Sequence, residues 1–125
     1  MYQAHDDLLD NGPQYLKDHC TEVTLCSGTP DDYTKAHTTN MLSTTTVDSA
    51  DFTVANGDVS GRKVTLGQQT GVSIAATGTI THICFSDVAA VKLLLVLPTA
   101  SRAVEIGDTV TIPATDYEVL DPAAA

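Results

Sequence analysis

The stretch that most constrains this chain is Thr79–Pro98, TITHICFSDVAAVKLLLVLP, the densest run of strand-forming apolar residues in the sequence. It divides into two β-type segments, Thr79–Ser86 and Val91–Leu97, separated at the polar step Asp87. Alternation puts Ile80, His82 and Cys84 on one face of the first segment, with Thr81, Ile83 and Phe85 on the other. On the second, Leu93, Leu95 and Leu97 share a face, and Leu94 and Val96 take the opposite one. A strand apolar on both faces is normally covered on both, as a central strand or at a subunit contact. Pro98 lacks the amide hydrogen that a central ladder requires and is expected to close the run. The stretch therefore reads as the core hairpin of a β-rich domain.

The rest of the 125-residue sequence fits around such a hairpin as a single domain. A chain of this length buries about two thirds of its extended surface and forms a core without metal or disulfide staples. Tryptophan is absent and phenylalanine occurs twice, so that core is built from Val, Leu, Ile and Ala. The expected organisation is an N-terminal arm over residues 1–20, a β-rich domain over 21–120 and a tail over 121–125. In the arm, Asp6–Leu9 and Tyr15–His19 read as short helical turns separated by the turn signal Asn11–Gly12–Pro13. The arm either packs on the domain or reaches a neighbour.

Along the domain, Glu22–Cys26 reads as the first strand, followed by turn material from Ser27 to Asp32. Tyr33–Thr46 is ambiguous in period: a helix from Asp31 competes with the β-branched Thr38–Thr39 and Thr44–Val47, which favour extended backbone. Thr44–Val54 is expected to be partly extended and interrupted near Asp48. Arg62–Leu66 and Val72–Ala76 alternate cleanly on either side of a Gly67–Gly71 loop. Arg102–Ile106 and Thr109–Ile112, joined at Gly107–Asp108, suggest a final hairpin. Tyr117–Leu120 adds a short extended piece. Short strands at this spacing are the signature of an all-β sandwich or barrel. The fold expected is all-β, a β-sandwich or jelly-roll-like domain with a short, partly helical N-terminal arm.

Charge excludes several functions. Six basic residues against sixteen acidic ones give a net charge of −10. Phosphate backbones are held by Lys and Arg that displace counterions, so nucleic acid is not an expected partner, and an anionic membrane surface is disfavoured for the same reason. Leu93–Leu97 is too short to span a bilayer. The acidic start MYQAHDDLLD has no apolar run and does not read as a signal peptide. The cysteines, Cys20, Cys26 and Cys84, are odd in number and lack CxxC spacing, which argues against a disulfide framework or structural zinc.

Catalytic signals are weak. A zinc set from His19, Cys20, Cys26 and His82 can be drawn, but none of the four histidines forms an HxH or HExxH motif. A Cys84–His82 pair shares a strand face, yet the Cβ atoms of such a pair lie roughly 7 Å apart, given a rise of ~3.3 Å per residue, and no third group orients the histidine. Asp31–Asp32 and Asp6–Asp7 lack calcium-loop spacing. The reading is therefore no enzyme and no cofactor.

The order of motifs resembles small structural proteins of tailed bacteriophages. It is carried by EVTLCSGTPDDY, by SIAATGTITHICFSD with Thr81–His82–Ile83 leading to Asp87, by the leucine-rich strand, and by Val104–Glu105–Ile106–Gly107–Asp108–Thr109–Val110–Thr111–Ile112. The resemblance implies a virion role and brings no catalytic residues. In its leading form it implies a capsid decoration (cement) protein, made in the host cytoplasm and seated on the capsid surface. Such a protein stabilises the head shell by binding across neighbouring subunits of the major capsid protein, as a homo-oligomer with a trimer favoured. Candidate interface residues are Tyr15, Leu16, His82, Leu94 and Val96. The alternative is a tail-associated virion protein or a receptor- or carbohydrate-binding module, against which the scarcity of aromatic residues counts.

Overall fold

The computed structural model describes residues 3–4, 6–56 and 62–119. It is mostly antiparallel β-sheet with one α-helix. In chain order the strands are β1 (Gln3–Ala4), β2 (Glu22–Cys26), β3 (Met41–Thr46), β4 (Phe52–Asn56), β5 (Arg62–Leu66), β6 (Gln69–Ser73), β7 (Gly78–Asp87), β8 (Lys92–Val104), β9 (Thr109–Ile112) and β10 (Thr115–Val119). The helix α1 (Asp6–His19) lies between β1 and β2. Five strands form one sheet in the order β1-β8-β7-β2-β3, three form a second, β10-β5-β4, and β6 pairs with β9 as a ribbon.

Helix α1 is two helical pieces joined at Gly12, whose φ of 65° and ψ of −154° break the helical path. Glycine takes positive φ without steric penalty, and Pro13 restarts the helix where its missing N–H is not required. The second piece lays Leu16 on the domain, with Cys20 one turn further on, each 1% exposed. Lys17 Nζ donates to the carbonyls of Ser49 and Phe52, both at 2.8 Å, and so ties the helix to the start of β4. The N-terminal segment thus packs on the domain.

The main core is continuous. Val23, Leu25, Ile83, Phe85 and Leu95 of the five-stranded sheet meet Phe52, Val64 and Leu66 of the three-stranded sheet, and Val72, Val110 and Ile112 of the ribbon. A second, smaller cluster covers the other face of the five-stranded sheet: Cys26, Cys84, Leu93 and Val96 pack under Ala36, with Tyr33 and Met41 at its margin. Ala36 belongs to a π-helical turn, Lys35–Thr39, which resolves the ambiguous Tyr33–Thr46 stretch into a helical turn followed by β3. Asp48 caps a 3-10 turn, Ser49–Asp51, through a reciprocal capping box, and this is the interruption expected between the two extended pieces.

Four expectations from the sequence are corrected. Pro98 does not end its strand; β8 runs on to Val104, with Pro98 opposite His82. Proline is tolerated there because the described part of β1 pairs only with Leu95 and Val96, so β8 is an edge strand by residue 98. The strict alternation of Leu93–Leu97 also fails. The ladder slips between Phe85↔Leu95 and Ser86↔Leu93, and the extra residue, Leu94, turns into the main core beside Leu95. The Arg102–Ile112 hairpin does not form as a pair. The Gly107 turn is present with φ 94°, but its backbone bonds to Ile74, with Gly107 N–H on Ile74 O at 3.1 Å and Ile74 N–H on Asp108 O at 2.8 Å. This carries β9 across to β6. Pairing with β9 also places β6 earlier than the alternation of Val72–Ala76 suggests, so that the supposed Gly67–Gly71 loop is partly strand.

Candidate interaction site

The turn between β7 and β8 is the feature its own surroundings explain least. The last ladder pair is Asp87↔Lys92, and Val88–Ala89–Ala90–Val91 reverses the chain. Such turns ordinarily use Gly, Asn or Asp, which supply positive φ or hydrogen-bond their own backbone. Here Val91 has φ 56°, where a branched side chain crowds the backbone at a cost of roughly 1–2 kcal/mol. Burial does not offset that cost: Val91 is 63% exposed and Val88 39%, and both alanines between them are exposed.

The turn is nonetheless well fixed. Ala90 N–H donates to Asp87 Oδ1 at 3.2 Å and Val91 N–H to Val88 O at 3.2 Å. Val88 N–H donates to Thr21 Oγ1 at 3.1 Å, which moors the tip to the segment leaving α1. His19 Nδ1 lies 3.9 Å from Asp87 Oδ2, so a protonated imidazole complements the buried carboxylate at the base of the turn. The result is a small apolar knob held out by hydrogen bonds from an acidic protein.

The back face of the five-stranded sheet gathers the thiols. Cys26 and Cys84 are diagonal neighbours on β2 and β7, with Sγ atoms 3.7 Å apart and both side chains fully buried. Cys84 donates to Cys26 Sγ, and Cys26 donates to the Ala36 carbonyl at 3.4 Å, with Thr24 Oγ1 3.5 Å away. The bond received from Cys84 pulls the Cys26 thiol below its ordinary range, while the same bond and burial push Cys84 up. Burial pushes Cys20 up to about 12. The π-helical turn above the pair is closed by His37 Nδ1 at 2.7 Å from Glu22 Oε1, and by Tyr33 stacked on His37 with ring centroids 4.9 Å apart. These thiols are free, sealed from solvent, and fill space.

The residues singled out from the sequence as an interface lie elsewhere. Leu16, Leu94 and Val96 are 1%, 0% and 0% exposed, and their partners come from this chain. Leu94 packs in the main core, and Val96 under the π-helical turn. The apolar doubling that suggested a subunit contact is satisfied internally, because each face of the sheet has its own cover. Tyr15 is half-buried and stacked on His19, with centroids 4.1 Å apart. His82 is 9% exposed, and its Nδ1 lies 2.9 Å from Thr81 Oγ1. Cys84 bonds to Cys26, not to His82. Among the described residues no group of three or more His, Cys, Asp or Glu is placed to hold a metal ion, and no helix is long and apolar enough to cross a membrane. The apolar turn is hard to see in the sequence because DVAAVK continues the hydrophobicity of the strands beside it. Its signal was the lack of any turn-forming residue between two strands that have to reverse.

The chain matches no protein-family model, no curated protein and no solved structure.

Proposed function

We propose that this protein is a structural component that attaches to a larger assembly through the β7–β8 tip. The specific form is the one its sequence resembles, a decoration (cement) protein of a tailed bacteriophage head. In this reading the two larger sheets form a β-sandwich or jelly-roll-like body. The body sits on the capsid surface as a homo-oligomer, a trimer in the favoured arrangement, and bridges neighbouring subunits of the major capsid protein. One observation carries the reading: Val88–Val91 is apolar, exposed and strained, yet hydrogen-bonded in place. Strain kept at an exposed position without local gain is a mark of function. Burying what remains exposed of the two valines in a partner supplies about 1 kcal/mol each, enough to offset the turn's cost. The net charge of −10 adds steering toward a basic patch on the shell.

The test is quantitative mass spectrometry of purified particles of a virus encoding this chain, followed by shell binding of two variants. The expected copy number is in the hundreds, matching a capsid lattice. Val91→Gly relieves the backbone and removes the side chain, so its melting temperature should match or exceed wild type while shell affinity falls about tenfold or more. Val88→Asp should lose binding with the fold intact. Wild-type affinity in both variants, or absence of the chain from particles, overturns the proposal.

A further inference from the structure

At the other end of β8, about 30 Å from the tip at ~3.3 Å per residue, the strand is irregular in a way that shapes a cleft. Ile80 pairs with Arg102 and His82 with Pro98, so three residues of β8 face the single residue Thr81. Thr81 turns its hydroxyl to the carbonyls of Gly28 and Cys26, at 3.1 and 3.4 Å. The surplus length of β8 bends the strand, as bulges do, often to re-aim a side chain beside a binding site. Between the bowed strand and β9 lies a cleft of about 150 Å³. Its floor is apolar and buried, formed by Leu25, Ile80, Ile83 and Ile112.

Among the described residues the rim has one charge. Arg102 stands directly opposite Ile80 and therefore on the cleft face of the sheet. It is exposed and makes no ion pair with any described residue. Although the chain carries sixteen acidic residues, none of those described lines this cleft, while Thr99, Thr111 and Thr115 place hydroxyl-bearing residues along it. An apolar space of this volume admits a molecule about the size of benzene. An unpaired guanidinium over such a space matches a carboxylate, which it can bind through two parallel hydrogen bonds.

We propose that this cleft is a binding site for a small aliphatic carboxylate, with a branched chain of about five to seven carbons on the apolar floor and its carboxylate on Arg102. The site is independent of the tip and of the assembly role given above.

The probe is 4-methylpentanoate, titrated into the full chain by calorimetry and ligand-observed NMR, with 4-methylpentan-1-ol as the neutral match. The acid should bind, and the alcohol about tenfold or more weakly, as expected for the loss of a charge-assisted, two-bond contact. Arg102→Gln should abolish that preference without lowering the melting temperature, since the side chain is exposed and has no ion pair with a described residue to lose. Ala100→Phe, a filling substitution at an exposed lining position, should remove binding of both compounds while the fold is retained. The assignment is overturned if the acid does not bind, if acid and alcohol bind equally, or if Arg102→Gln keeps the preference. Binding of a leucine-terminated peptide without binding of the free acid also overturns it, in favour of a protein ligand.

Discussion

The hydroxyls of Ser43 and Ser86 are buried and have no hydrogen-bond partner among the described residues. A buried hydroxyl without a partner loses its hydration and regains nothing, a cost of about 1–3 kcal/mol. Ser86→Ala removes the orphaned group while leaving the backbone ladder to Glu22 and Leu93 in place. It should raise the urea midpoint, corresponding to about 1 kcal/mol of added stability. A fall of similar size would mean that the hydroxyl has a partner. Glu22, only 8% exposed, shows the opposite solution, because His37 meets its carboxylate at 2.7 Å. Ser86 and Glu22, directly opposite each other on the back face, are therefore of two kinds, and only the bonded one holds the π-helical turn in place.

Among the elements, α1 shows most clearly how local chemistry decides shape. An L-residue at position 12 meets no steric contact, since no atom lies within 4 Å of an added Cβ, yet φ is +65°. Gly12→Ala should therefore destabilise by about 1–3 kcal/mol through backbone conformation alone, without disturbing the core. Denaturant titration checks this, and an unchanged midpoint would mean that the kink carries no strain. The kink was legible in Asn11–Gly12–Pro13, and β2 and β5 fall on the residues their alternation indicated, because each of these signals is local. The partner of β9, the continuation of β8 past Pro98 and the inward turn of Leu94 were not legible. Each depends on a neighbour distant in sequence: Ile74 and β6 for the first, the short reach of β1 for the second, the slipped β7 ladder for the third. The exposed turn is illegible for a related reason. Hydropathy reports how apolar Val88–Val91 is, but not that both valines stand in solvent.

For the whole molecule, one core joins both sheets, the ribbon and the helix, so an injury at its centre is felt everywhere. Leu94, fully buried there, should cost about 2–5 kcal/mol when cut to Ala, and Leu94→Asp should unfold the chain instead of yielding a soluble, binding-defective protein. Circular dichroism separates the two outcomes, and a folded Asp variant would return Leu94 to the surface. The strand order carries a further consequence for synthesis. In the five-stranded sheet, β2 lies between β3, which follows it closely, and β7, made more than fifty residues later. While the chain emerges from the ribosome, β2 and β3 can pair early, but the other side of β2 stays an open template until residue 87 is made. Over that interval Val23 and Leu25 also lack the Phe85 and Leu95 side of their core. The nascent protein is thus most prone to self-association midway through translation, and the β7–β8 hairpin, forming locally and docking as a unit, closes that window.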